Sequence, residues 1–476
     1  MSLTSAMLTA QSSIAARSAE MAIASRNVAN VNNPNYTRQE AVVQNIVSDT
    51  GSVVYVSHAS RMVNQAAFTA TLKSGSAAIA SGSYANMLDQ LNPSGQVPFG
   101  TSTASAIGSL SEALVAFGND PSNEVLGQSV VNSAEGLVDS LKQSAENLER
   151  TRLEADAAMG RAVDNINKIL SDLENVNGKI VTGSNAGDDV NSLLDQRDEM
   201  LKVLSEEIGI EVLYQADNGV AIYTDSGVTL FEKTAREVSF DTTLSLDFEE
   251  VGQNILVDGI AVAGPGATLP VSGGAIAGYS KIRDETLVTM QKQQQEIGKA
   301  LVKAFEERRP DGTDPRDGLF TFNGGAETIS NLSVHDNVKV AGGSRLIRDG
   351  GISTAAHKHN TDDHAGFSTL IKKYEEALKE ERTFAVEAGV NPNSTLQDFA
   401  SNTVSWFSAE RKMATESSTL DASAFKSNAQ MLSDKTGVNI DTEMQRLLTI
   451  ETAYSASARL MSTVDNMFKE LLGAVR

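Results

Sequence analysis

The sequence predicts a mainly α protein with a β insertion: an elongated, multi-domain chain in which N- and C-terminal parts form a long helical bundle and a small β domain sits in the middle. Three observations carry this. Narrow heptad stripes of apolar residues run along both ends. A helical pattern continues almost unbroken from Asn123 to Val181. Between 210 and 275 the composition turns to short β-branched and aromatic runs separated by turns.

The first stripe places Leu3, Met7, Ala10, Ile14, Arg17, Met21, Ala24 and Val28 at alternating steps of four and three, and only Arg17 is charged. It stops at Asn27-Val28-Ala29-Asn30-Val31-Asn32-Asn33-Pro34-Asn35-Tyr36-Thr37-Arg38. Asparagine tolerates the left-handed conformation that closes helices, and Pro34 cannot continue one. Alternation from Ala41 to Val56 reads as one or two strands or an extended arm. Residues 104–118 form a mildly amphipathic helix, and Asn119-Asp120-Pro121-Ser122 a turn and helix start. The long pattern after it carries Leu137, Leu141, Leu148, Met159, Val163, Ile166, Ile169, Leu170 and Leu173. A second helix spans 188–208.

Composition changes at Gly209. Ile210–Tyr214, Gly219–Tyr223, Val228–Phe231 and Asn254–Val257 read as short strands, with turns such as Asp217-Asn218-Gly219 between them. Helix resumes over 278–309, a turn-rich stretch with strand-like pieces fills 310–350, and helices return over 366–386 and 395–434. The final stripe is Leu447, Ile450, Tyr454, Ser457, Met461, Val464, Phe468, Leu471 and Val475. The chain thus divides into a terminal assembly region (1–60 with 437–476), a helical body (61–209 with 276–436, partly β over 310–350) and the inserted β domain of 210–275.

Narrow stripes on otherwise polar helices need a partner helix. The other end of the chain is one partner and neighbouring subunits are the next. Of 476 residues, 39 are Lys or Arg and 61 Asp or Glu, a net charge of −22. Such a chain lacks the basic face that nucleic acid or an anionic membrane requires. Residues 1–50 are neutral and 437–476 carry −1, so nearly all the negative charge lies between the stripes. Identical copies can therefore pack through their ends without self-repulsion. The absence of cysteine excludes disulfides, thiolate nucleophiles and Cys-ligated metals. The opening MSLTSAMLTAQSSIAAR has no secretory leader, and no run approaches the ~20 apolar residues of a membrane span.

NVANVNNPNYTRQ at the start, Asn191-Ser192-Leu193-Leu194-Asp195-Gln196-Arg197-Asp198 in the middle and GVNIDTEMQRLLTIETAYSASARLMSTVDNMFKELL at the end resemble the flagellar axial proteins, the rod, hook and hook-associated family. Asn35 stands where that family commonly carries glycine, and asparagine can take the same left-handed conformation. The resemblance implies a structural, extracellular subunit at the hook–filament junction, exported without a cleaved signal peptide. The implied partners are further copies in a junction ring, the hook protein, hook-associated protein 3, and a flagellar export chaperone with its export apparatus. Another axial role, as hook, rod or second junction protein, is the nearest alternative.

Catalytic candidates are few. Three of the five histidines fall in His357-Lys358-His359-Asn360-Thr361-Asp362-Asp363-His364. This density of imidazoles and carboxylates suits zinc or nickel, whereas Lys358 between two ligands favours a solvated loop. A soluble metal-binding protein or enzyme using this loop is the alternative from another class. Asp311 to Gly318 echoes a calcium loop, but its carboxylates are three apart and Phe322 replaces the closing glutamate. No phosphate-binding glycine motif or nucleophile elbow occurs, His58 and His335 are isolated, and Trp406 beside Phe407 reads as a core anchor. No cofactor and no catalytic role are expected. The residues assigned to assembly are Leu3, Met7, Ile14, Met21, Val28, Asn30, Pro34, Tyr36, Leu447, Ile450, Tyr454, Met461, Val464, Phe468 and Leu471.

Overall fold

The computed structural model describes residues 3–48, 51–91, 103–248 and 250–474. In chain order, α1 (Leu3–Ala29) leads to β1 (Gln39–Ser48) and β2 (Gly51–Arg61), then α2 (Gln65–Gln90), α3 (Thr103–Asn119), α4 (Glu124–Ala186) and α5 (Asn191–Glu207). Seven strands follow: β3 (Ile210–Tyr214), β4 (Val220–Thr224), β5 (Thr229–Glu232), β6 (Thr234–Ala235), β7 (Val238–Ser239), β8 (Ile255–Val257) and β9 (Ile260–Ala263). Next come α6 (Gly274–Lys281), a π turn (Ile282–Thr286), α7 (Leu287–Ala304), β10 (Phe320–Phe322), β11 (Leu332–Val334), α8 (Asp336–Lys339), α9 (Arg345–Asp349) and α10 (Thr369–Lys379). The short strands β12 (Arg382–Thr383) and β13 (Asn393–Ser394) precede the long helices α11 (Leu396–Thr436) and α12 (Ile440–Ala474).

Helix α4 is the spine. Asn123 caps it by accepting a bond from the Val125 N–H, and Gly187, at φ +80°, ends it in the left-handed conformation. Its 63 residues span roughly 95 Å at ~1.5 Å per residue. Three cores follow one another along it. Val130, Leu137 and Leu141 pack with α3, α7 and α10 and with Phe305, Phe320 and Phe399. Leu148 and Ala155 meet Leu88, Met290 and Phe407. From Met159 to Leu173 it lies under the antiparallel sheets β3-β4-β5-β6 and β7-β8-β9, whose Ile222, Phe231, Val257 and Val262 share one cluster with Leu201 and Leu204 of α5.

The helix expected over 278–309 instead runs from Gly274 to Ala304, with the π turn in its middle, where Arg283, fully buried, pairs with Asp156 at 2.5 Å. The helix expected over 366–386 stops at Lys379, and the chain turns into β12 and a 3₁₀ turn at Val386–Ala388. Helix α2 carried no expectation of its own. Its sequence is rich in Ala, Ser and Gly, so it lacks a bold apolar stripe; the signals were Asn64, whose side chain accepts from the Ala67 N–H, and 26 residues free of proline. Small residues let its neighbours approach closely. A Cβ on Gly278 of α6 would sit 2.3 Å from the Ala80 carbonyl, and one on Gly75 3.1 Å from the Phe425 ring.

Candidate assembly interface

Helices α1 and α12 lie antiparallel against each other, bringing the two ends of the chain to one pole. Ser13 and Ser457 share a hydroxyl bond at 2.9 Å, and the Asn27 amide donates to Glu443 at 3.2 Å. Both pairs sum to the same number, which fixes the register along the seam. On α12 the buried residues are Glu443, Ile450, Ser457 and Val464, one per heptad. Leu447, Met461 and Phe468 flank them half-buried, while Tyr454 is 37% and Leu471 51% exposed. In this register α12 runs past Leu3, which leaves Leu471 and Leu472 uncovered within the chain. Val475 lies outside the described residues.

The buried side of α1 differs from the expected stripe. Ser5, Ala10, Ala16, Glu20, Ile23, Ala24 and Asn27 are buried, whereas Leu3, Met7, Ile14, Met21 and Val28 are only half-buried. The reason is that α1 is pressed from two directions. Besides α12, the β1–β2 hairpin lies along it: the Thr9 hydroxyl donates to the Ser52 carbonyl at 2.8 Å, and the Val54 N–H donates to the Ser12 hydroxyl at 3.2 Å. The sector between two close neighbours selects small side chains and leaves the larger ones on its shoulders. Arg17, the charged interruption, pairs with buried Glu20 at 2.9 Å.

At the base of this unit is a polar hub. Asn27 is fully buried and makes four hydrogen bonds to three residues. Its amide donates to Glu443 and to the Gln39 carbonyl, and its oxygen accepts from the Gln39 N–H and the Tyr36 hydroxyl (2.8 Å). Glu443, also fully buried, accepts from the Arg38 Nε at 2.6 Å. Burial raises the Tyr36 hydroxyl above the ordinary range. Asn30 closes α1 through backbone bonds and donates its amide to the Arg26 carbonyl, and Pro34 is exposed. Asn35 does not use the left-handed conformation open to asparagine; its N–H donates to the Asn33 side chain in a turn with ordinary φ.

The Asn191–Asp198 block of α5 docks on the same pole. The Arg61 guanidinium, at the end of β2, reaches Asp195 at 2.8 Å, Asp198 at 2.6 Å and the Thr37 hydroxyl at 2.9 Å. Arg197 holds the other oxygen of Asp198 at 3.0 Å, and the Asn191 amide donates to the Ala59 carbonyl. Burial pushes the Asp195 carboxyl above the ordinary carboxylate range despite the Arg61 charge beside it. Blocks at the start, middle and end of the sequence thus meet in one place, around a cleft of about 370 Å³ lined by the Asn30–Thr37 turn, Phe68, Leu72 and Phe425.

None of the three hydrophobic cores contains a described residue from 3–60 or 437–474. Large apolar side chains left exposed crowd instead into that unit: Leu8, Val43, Ile46 and Val47 on one arm, and Met444, Leu448, Leu460, Met467, Leu471 and Leu472 on α12. The histidine loop offers no comparable feature. His357 is buried between the Thr354 hydroxyl and the Asp314 carbonyl, and His359 bonds the Arg308 carbonyl, so both rings tie neighbouring loops together. Among the described residues no group of three or more His, Asp or Glu is placed to hold a metal. Asp311 accepts from the Thr313 N–H and hydroxyl within a plain turn, and Trp406 flanks buried Phe407 half-buried.

Residues 97–320 match the family model of the flagellar hook-associated protein FlgK helical domain, and residues 433–474 that of the flagellar basal body rod FlgEFG protein C-terminal. Flagellar hook-associated protein 1 of Escherichia coli is 29% identical over 246 residues, covering 48% of this chain and 44% of that protein. That of Salmonella typhimurium is 30% identical, covering 48% and 43%. The chain therefore spans less than half the length of these two relatives. The Bacillus subtilis protein of the same name is 22% identical over 98% of this chain and 97% of its own. The flagellar hook junction protein FlgK from Burkholderia pseudomallei aligns structurally at a TM-score of 0.44 and 21% identity, covering 54% and 47%. Two family models on separate segments and relatives that share one name make this chain similar to flagellar hook-associated protein 1 from near its start to its C-terminal helix.

Proposed function

We propose that this chain is a structural subunit of the bacterial flagellum that joins hook to filament by self-assembly through its terminal unit, and that it works outside the cell with no catalytic role. The observation that carries the reading is the terminal unit itself. It pairs the two chain ends through a thin, largely polar seam, contributes nothing to any core, and exposes rows of Leu, Met, Val and Ile. Exposed apolar rows of this kind mark interaction surfaces. Further copies in a junction ring cover them, with the hook protein on one side and hook-associated protein 3 on the other. Before assembly an export chaperone shields them, and the export apparatus carries the chain out without removing a signal peptide. Neutral ends in a chain of net charge −22 favour this contact over contact between the acidic bodies.

The family-model match over 97–320 favours a junction subunit over a hook or rod protein. Leu471→Asp tests the reading. Leu471 is half exposed, so the isolated variant is expected to keep the helical content and melting temperature of the parent. It should nevertheless fail to support filaments on hooks and abolish swimming. Normal filaments and motility in that variant would contradict assembly through this face.

A further inference from the structure

Between β7 and β8 the chain makes a long connection without regular structure, yet it is fastened like a core element. Arg152 of α4 is fully buried, and among the described residues no carboxylate pairs with it. Its guanidinium donates instead to the Leu246 carbonyl at 2.9 Å, to the Asp247 and Glu250 carbonyls, and to Gln291. One turn further along α4, Asp156 accepts the Thr243 N–H at 2.8 Å. Arg283, also fully buried, donates to the Gln253 carbonyl at 2.8 Å. Burying a cation to hold the carbonyls of a surface loop is costly, and what it gives is a loop of fixed shape. That loop presents Leu244, 97% exposed, and residues 240–251 hold four carboxylates and no cation. A rigid apolar knob with an acidic rim is a preorganised contact element.

We propose that Leu244 of one copy docks in the groove between α2, α6 and α11 of the next copy, an inference that rests on the ring assembly proposed above. The groove encloses about 450 Å³ over a floor of small residues, Ala77, Ala80, Ala277, Gly278 and Ala414, with Met413 56% exposed along its side. Lys281, exposed and stacked 4.1 Å from the centre of the Tyr84 ring, supplies the cation that the acidic rim requires. Of the carboxylates in the groove, Glu410 accepts from the Tyr84 hydroxyl and Asp421 from Ser417. Knob and groove stand at one level of the molecule, on opposite sides. Lys281 lines the groove and Arg283 clamps the loop, and side chains two residues apart on one helical turn point in nearly opposite directions. Such a head-to-tail contact can close into a ring of subunits that all point one way. A single leucine and a single lysine are too little to hold two free acidic chains together. The contact therefore forms only where the terminal units already set neighbours side by side.

Because the chain has no cysteine, a short bis-maleimide applied to flagella on cells can join Leu244→Cys to Met413→Cys. Both positions are exposed, so circular dichroism and swimming should match the parent. The double variant is expected to give a ladder of dimers, trimers and larger species of this chain. Each single variant should give none, and the purified free double variant should stay monomeric. Adding Lys281→Glu sets a carboxylate against the acidic rim and should cut the ladder roughly tenfold. No ladder, although the chain is recovered in purified hook–filament structures, would overturn the proposal. So would dimers alone, which mark a two-fold contact, an equal ladder from the free chain, or a ladder indifferent to Lys281→Glu. Absence of the chain from those structures would contradict the assembly reading itself and take this inference with it.

Discussion

Glu443→Ala is expected to release the terminal unit while leaving the body folded. Glu443 is fully buried where α12 begins and is the acceptor for both the Arg38 guanidinium and the Asn27 amide. Removing it strands a cation and a buried amide donor together, and breaking such a pair from one side costs about 3–5 kcal/mol. Elsewhere a loss of that size would be spread over a large core. Here the seam offers little besides Ile450, Val464, Ile23 and a few alanines, each large apolar residue contributing roughly 1.5–3 kcal/mol. Two transitions are expected by calorimetry: an early one from α1, the hairpin and α12, and a later one at the parent temperature from the body. A single transition shifted as a whole would mean the terminal unit and body unfold as one.

Arg61→Ala is expected to uncouple the terminal unit from the body without melting either. Arg61 joins the asparagine-rich turn, through Thr37, to the α5 block, through Asp195 and Asp198, and reinforces the weaker Lys202–Asn35 contact beside it. Its loss leaves the shielded Asp195 without a cation while Asp198 keeps Arg197, at a cost of about 3–5 kcal/mol for the broken pair, and opens the cleft beside it. Arg61→Lys should restore much of the link, because all three acceptors converge on one terminal nitrogen of the guanidinium and an ammonium offers three donors. The chain has no cysteine, so paired labels at Ser462→Cys and Ser171→Cys report the geometry cleanly. A narrow distance distribution is expected in the parent and a broad one in Arg61→Ala. A distribution that stays narrow would place the latch elsewhere.

Much of this fold was legible, and the failures have physical causes. The period of α12 was readable because its buried row, Ile450, Ser457 and Val464 after Glu443, keeps one residue per heptad. The period of α1 was not, because the hairpin loads a second side of that helix and moves the buried sector onto small residues. The strands at 210–214, 220–224 and 255–257 announced themselves by β-branched content bounded by turns. Helix α2 hid because glycine and alanine pack closely without an apolar stripe. Within the hub, Glu443 carried an unread signal: it precedes Ile450 by one heptad, and a carboxylate at a seam position implies a buried partner. The Arg61 cluster had no local signature, since it joins residues more than a hundred positions apart.

The central claim is that the terminal unit lacks a core of its own and is completed only by its neighbours. Amide exchange of α1 and α12, compared with α4 in the same full-length chain, tests it most directly. In the free chain the amides over 3–29 and 440–474 should exchange orders of magnitude faster than those over 130–173, and on assembly they should become as slow. If the terminal helices of the isolated chain are already as protected as α4, the account is wrong.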